Sequence, residues 1–296
     1  MSLSHRIQRP LDHLVLPVVD LATARLRLSA LGFSVAPDAR HPFGTENACV
    51  YFTDATYLEP LGIADLQIYE NHVRQGAEFV SRDRAFRFRV GEDGLSAVVF
   101  KSENAEADHA SFADAGIAAG DLFSFTRKFQ RDDGSEAEAG FRLAFAADLR
   151  APDLFFFTCE RLAALSPPDD LLAHQNGVTG IATVLIGEDN PMEFEALLQQ
   201  LSNCHDIDIH PHGVTVEGAG AGLSIFTHEA LSARYGIAPV ATGRGLVGRG
   251  IVFETVDLAN TGDILRQNDI IHETADDMIR VPPASGQGVT FIFKEA

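Results

Sequence analysis

Two side chains in this sequence have the type and setting for chemistry. His13 sits inside the apolar run Leu11-Asp12-His13-Leu14-Val15-Leu16-Pro17-Val18, and Glu59 inside Tyr57-Leu58-Glu59-Pro60-Leu61. A carboxylate in an apolar strand needs a partner, because burying it alone is costly. On adjacent strands of one sheet the pair could share a divalent cation. Without one, they would be a buried hydrogen-bonded pair or would hold a substrate directly. Between them runs His41-Pro42-Phe43-Gly44-Thr45-Glu46-Asn47. Gly44 permits a tight turn, and Thr45 and Asn47 offer donors and acceptors along the strand that follows. His41 is the candidate third donor, and Tyr57 is placed to orient a carbonyl or to pack.

The elements that must position these groups follow a period. A strand over 11–18 enters a helix capped by Asp20 and closed at Gly32; strands fit 33–36, 48–52 and 57–61. A second unit has a strand over 95–100, a helix over 105–115 ending at Gly116, and strands over 123–129, 141–146 and 154–158. A third opens with a strand over 180–186. Asn190-Pro191 reads as a helix start, the helix runs to Ser202, and strands fit 207–209, 214–217 and 223–226. The fourth has a strand over 250–254, a helix over 257–268, and strands over 270–272, 278–281 and 289–293. One such unit would expose most of a sheet face, so neighbouring units must pair. Residues 65–94 read as a helical insertion, and 161–176, with Ser166-Pro167-Pro168, as a linker.

Composition narrows the partners. A net charge of −19 argues against nucleic acid, whose phosphates demand a basic surface, and against an anionic membrane face. The 21 Phe residues, against 4 Tyr and no Trp, fall largely in strand-like runs and read as core. Three scattered cysteines without a CxxC make a disulfide framework improbable. The stretch Met1–His5 lacks a signal-peptide core and no apolar run approaches ~18 residues, so a cytoplasmic protein is expected.

The four β-α-β-β-β units, with His13 on the first strand, the His41–Asn47 segment and Glu59 on the fourth, resemble the vicinal oxygen chelate superfamily and its two-domain glyoxalase-like proteins. The resemblance implies an α+β protein of four βαβββ modules paired into two glyoxalase/dihydroxybiphenyl-dioxygenase-like domains. These span 1–160 (modules 11–64 and 95–160) and 177–296. It further implies a divalent metal (Zn, Ni, Co, Mn or Fe) held by His13 and Glu59; two ligands make a weak site, and His41, on the loop before the third strand, is the candidate for a third. Glu59 and Tyr57 would be catalytic, and Thr45 and Asn47 would contact substrate. The implied activity is that of a lyase, isomerase or epimerase acting on a small oxygenated metabolite. The other class is a metal-free binding or drug-sequestering protein, and a homodimer fits either.

Alignment of the units on their strand–helix junctions tests the metal. The counterparts of His13 fall at Ala97, Thr183 and Gly250, and those of Glu59 at Phe157, Ile225 and Phe291. None is a strong ligand, so the first unit alone keeps the pair. An extradiol dioxygenase, which needs a 2-His-1-carboxylate set, is disfavoured, and the second domain is expected to be structural or to serve dimerisation. Cys204–His212 reads as a solvated edge strand and turn. Gly218–Gly222 lies between strands and is no dinucleotide loop, and Gly243–Gly250 reads as a connection.

Overall fold

The computed structural model describes residues 8–130, 136–163, 166–218, 220–239, 243–275 and 277–296, with 128–130 and 136–137 described as backbone only. The Met1–His5 stretch, Ala164 and Leu165 of the linker and Ala219 of the glycine run lie outside these residues.

The first half comprises β1 (Leu11–Pro17), α1 (Leu21–Ala30), β2 (Ala39–Arg40), β3 (Thr45–Asn47), β4 (Val50–Tyr51), β5 (Tyr57–Ile63), α2 (Leu66–Arg74), α3 (Glu78–Arg89), β6 (Ala97–Ser102), α4 (Ala105–Asp114), β7 (Ala118–Gln130), β8 (Glu136–Ala146) and β9 (Phe155–Arg161). After α5 (Asp169–Leu172) come β10 (Val178–Gly187), a 3₁₀ turn at Pro191–Phe194, α6 (Glu195–Ser202), β11 (Asp208–His210), β12 (Gly213–Val216), β13 (Gly222–Phe226), α7 (His228–Tyr235), β14 (Val247–Thr255), α8 (Leu258–Gln267), β15 (Glu273–Ala275), β16 (Met278–Val281) and β17 (Thr290–Glu295). The first sheet has the order β2-β3-β5-β1-β6-β9-β8-β7, with β4 also on β5; the second has β11-β12-β13-β10-β14-β17-β16-β15. Each is built about a central antiparallel pair, β1–β6 or β10–β14, flanked by parallel partners.

Local signals explain these elements. The Asp20 carboxylate caps α1 by accepting from the Thr23 amide at 2.7 Å, satisfying a donor that the first helical turn leaves open. Alternation along the strands sorts side chains onto two faces. Leu14, Leu16, Leu58, Val98 and Phe156 face the helices, whereas His13, Val15, Tyr57, Glu59, Leu61, Val99 and Phe157 face a cup on the other side.

The helix faces of both sheets share one core. Phe33 and Phe52 of the first half meet Phe253, Phe291 and Phe293 of the second. The linker stitches the halves rather than merely spanning them. Asn176 donates to the Leu31 carbonyl at 2.9 Å, and the His174 ring pairs with the Tyr51 carbonyl at 2.9 Å and takes a hydrogen bond from the Ser34 amide at 3.0 Å.

Several sequence expectations change. Residues 33–36 form no strand, because Phe33 plugs the shared core. The strand expected over 48–52 shortens to β4, and β3, just before that stretch, pairs separately with β5. The insertion holds two helices, and α7, capped by the Thr227 hydroxyl, was not anticipated. Strand pairing also corrects two counterparts of Glu59. Glu59 pairs with Val15, and the equivalent positions pair Leu185 with Ser224 and Val252 with Ile292. Ile225 and Phe291 lie on the helix face. Ser224 is tied to Thr215 at 2.9 Å, so neither corrected position supplies a strong ligand. The cup of the second sheet is filled, with Leu231 and Ala230 of α7 packing on Leu185, Phe226, Val252 and Ile292.

Candidate active site

Five of the groups singled out in the sequence meet in the first cup, and a sixth braces them. On parallel neighbours β1 and β5, His13 lies beside Tyr57, with the rings stacked at 4.4 Å between centroids. The Glu59 carboxylate faces both imidazoles, 3.3 Å from His13 Nε2 and 3.8 Å from His41 Nε2. Asn47 Nδ2 donates to Glu59 Oε1 at 2.6 Å and lies 3.3 Å from His41 Nε2. Thr45 stands behind the lining of the cup; its hydroxyl pairs with His41 Nδ1 at 2.8 Å and fixes that ring.

The turn that carries His41 requires its glycine. Gly44 has φ +89°, and a Cβ there would lie 2.5 Å from the Tyr69 amide nitrogen, so only glycine lets α2 close over the loop. His41 then stacks on Phe43 at 4.9 Å.

An irregularity in β1 brings in a residue that strict alternation hides. Leu11 opposes Phe100 while His13 opposes Val99, leaving Asp12 as an extra residue in the pairing. Such a bulge re-aims side chains. Leu11 goes to the helix-side core, and Asp12 Oδ2 reaches His13 Nδ1 at 2.7 Å. Arg161, at the end of β9, grips both Asp12 oxygens at 2.7 Å each and lies over the Tyr57 ring at 5.5 Å. The same slip recurs in β10 around Ala182, where no charge accompanies it.

The charges follow from these contacts. Burial opposes ionisation of Glu59, but the hydrogen bonds from His13 and Asn47 and the nearby imidazoles outweigh it and pull its pKa down to about 2. Burial also opposes a charged His13, yet Asp12 and Glu59 on either side raise its pKa above 6.5. His41 has burial acting against its charge, with Arg127 adding to it, and is pushed down to about 4, so it is neutral. Burial is offset at Asp12 by His13 and Arg161, which keep it ionised. Cys49 and Cys159 line the cup but stay protonated; burial pushes Cys49 up to about 12 and Cys159 higher, so neither is a nucleophile at neutral pH. Burial likewise raises the Tyr57 phenol, leaving it a ring face against His13.

The walls are apolar. Phe43, Phe79, Phe125, Phe141, Leu143 and Phe157 enclose the polar floor, with Arg127 at one side and a cavity of about 40 Å³ between them; an apolar, concave lining with a few convergent polar groups is the character of a small-molecule site. A metal is a poor fit to this floor as it stands. No buried polar atom of His13, His41, Asn47 or Glu59 lacks a partner. Among the described residues no group of three or more His, Cys, Asp or Glu is disposed to hold a metal ion. The neighbouring module presents Ala97 and Phe157 where further ligands would stand.

A model of the glyoxalase-like domain matches residues 11–202, which take in the whole of this cup. The chain belongs to the glyoxalase-like domain family. No curated protein matches the sequence. Among solved structures, this glyoxalase-like protein is similar to a hypothetical protein from Staphylococcus aureus (12% identity, TM-score 0.67, 97% of this chain and 99% of that one). A mutant 4-hydroxymandelate synthase from Streptomyces coelicolor matches at 10% identity and TM-score 0.54, over 97% of this chain and 92% of the other. The Mn(II)-bound glyoxalase from Novosphingobium aromaticivorans matches at 10% and 0.54, over 98% and 83%. At these identities the likeness is one of fold. It bears out the α+β architecture with two glyoxalase/dioxygenase-like sheets. No helix among the described residues is long and apolar enough to cross a membrane.

Sequence reasoning missed Asp12, Arg127 and Arg161. Asp12 needed the bulge, but alternation was a usable signal for the others. Arg161 continues the face of Phe155, Phe157 and Cys159, and Arg127 that of Phe123 and Phe125.

Proposed function

We propose that this glyoxalase-like protein is an enzyme of the isomerase, epimerase or lyase type that moves a proton at a carbon beside a carbonyl of a small oxygenated metabolite. The observation that carries the reading is the buried chain Arg161–Asp12–His13–Glu59 on the floor of an aromatic cup. Buried charges of this kind contribute little net stability, whereas an acid and a base on adjacent strands are what enolisation needs.

The residues divide the work as follows. The substrate carbonyl oxygen takes the place of Glu59 as acceptor of the His13 Nε2 proton. Glu59, released from that hydrogen bond, accepts the proton from the adjacent carbon. As the C–H pair of electrons moves into the carbonyl, His13 gives its proton to the oxygen, and the product of the step is a neutral enol. Loss of the imidazolium charge removes what held Glu59 acidic, so acid and base strengthen together. Return of the proton to the same carbon's other face gives epimerisation, and to the neighbouring carbon isomerisation. Departure of a leaving group from the carbon on the far side of the deprotonated one, as the enol proton is lost and the carbonyl re-forms, gives a lyase outcome. Asp12, fixed by Arg161, holds His13 in the required orientation, and the phenylalanines exclude water.

The test is deuterium wash-in from D₂O into a panel of small α-hydroxy carbonyl compounds, followed by NMR with chelator present. Glu59→Gln should lose roughly 10²–10⁴-fold in exchange rate while keeping its far-UV spectrum and ligand affinity. Equal exchange in wild type and variant would sink the assignment of the base. Binding without exchange across the panel would favour the metal-free binding class instead. Metal analysis accompanies it, since a Mn(II)-bound glyoxalase shares the fold. One Zn, Ni, Co, Mn or Fe per chain, lost in His13→Ala and required for exchange, would overturn the metal-independent step.

A further inference from the structure

Arg127 is a cation of the cup that makes no ion pair among the described residues. On the face of β7 shared with Phe125, its guanidinium makes one long hydrogen bond among the described residues, Nη1 to Asn47 Oδ1 at 3.4 Å, and lies over the Phe141 ring at 5.5 Å. Among the described residues no carboxylate lies within ion-pair distance of it. The two acidic groups of the cup are committed elsewhere, Asp12 to Arg161 and His13, Glu59 to His13 and Asn47. A guanidinium presents a planar fork of donors suited to a carboxylate, and Arg127 lines the cavity without an ion-pair partner among the described residues.

We infer that Arg127 binds the anionic group of the substrate, and that the substrate is a small carboxylate with an apolar body. The inference rests on the proposed function for the place of reaction and adds the substrate class. Asn47 bridges the two ends of the site, with its carbonyl oxygen toward Arg127 and its amide toward Glu59. A carboxylate on Arg127 therefore puts the next atoms of the molecule over the Glu59–His13 pair. Phe43, Phe125 and Phe141 stand around the remaining space and suit an aliphatic or aromatic body. Phosphate esters and dianions suit it less, because Glu59 stands beyond the same Asn47 side chain and one arginine balances one negative charge.

Binding of phenylacetate and of its neutral isostere phenylacetamide, measured by calorimetry on wild type, Arg127→Met, Arg127→Lys and Glu59→Gln, tests this. Wild type should prefer the acid at least tenfold. Arg127→Met should lose that preference while binding the amide as before, and Arg127→Lys should restore part of it. Glu59→Gln should keep the preference even where it abolishes deuterium exchange, which separates failure of this inference from failure of the proton-transfer reading. Equal binding of acid and amide by wild type, no binding of the acid, or a preference that survives in Arg127→Met would overturn it. A urea midpoint for Arg127→Met within the range of wild type guards against a folding artefact.

Discussion

Asp12→Asn is the most searching perturbation of this site, because the substitution keeps shape and removes one charge. Asp12 is 2% exposed and accepts three charge-assisted hydrogen bonds, two from Arg161 and one from His13, all at 2.7 Å. Breaking a buried pair from one side costs roughly 3–5 kcal/mol. The Arg161 side chain is 23% exposed, so water recovers part of that, and a loss of about 3 kcal/mol is expected. The pH dependence supplies a second signature. The folded-state pKa of His13 is raised above its free value of 6.5. Its contribution is therefore present in full below pH 6.5 and is lost as pH rises from there through the folded-state value. With Asp12 neutral a principal cause of the raised value is gone, and that loss should shrink. Urea unfolding of both proteins from pH 5.5 to 9 measures both effects, with the His13 resonance followed by NMR. The double variant Asp12→Asn/Arg161→Met should cost less than the sum of the singles, because it leaves no orphaned charge. A variant within ~0.5 kcal/mol of wild type at every pH, or an unchanged slope above pH 6.5, would refute the reasoning.

Two further outcomes follow from the packing. Gly44→Ala should cost about 2–4 kcal/mol, since it joins an unfavourable φ of +89° to a clash with the Tyr69 backbone; the His41 ring signals should shift with it, and unchanged signals would show that the turn does not set that ring. Phe33→Ala should cost roughly 3–5 kcal/mol and loosen amide protection in both halves, because Phe33 touches Phe52 on one side and Phe253, Phe291 and Phe293 on the other. Loss confined to residues 11–161 would count against a shared core.

The pairing of His13 with Glu59 was legible because both lie in short apolar strands, where alternation fixes the face and burial demands a partner. His41 and Asn47 were legible because a glycine turn has few geometries. Asp12 was hidden by that same alternation rule: one extra residue in β1 reverses the side it predicts. Alternation puts Arg127 and Arg161 on the aromatic faces of their strands, but these strands lie in the second unit, and the sheet order is what carries them to the cup. The counterparts Ser224 and Ile292 were misplaced by one residue, since helix starts are softer markers than strand register. Helix α7 was missed although Thr227 and Gly236 mark its ends, because the repeat left no place for a helix there.

The filled second cup bears on how the first can persist. The two sheets share a strand order and the same slip in their opening strand, yet one floor is ionic and the other is Leu185, Val252 and Ile292 under α7. Charge burial lowers the stability margin of the half that bears it, and proteins hold only a few kcal/mol in reserve. Because both sheets press on one phenylalanine core, the apolar half works as ballast, letting substitutions accumulate around His13 and Glu59 without tipping the chain toward unfolding. New chemistry in this architecture should therefore arise in the first cup, and repairs that compensate for it should map to the second.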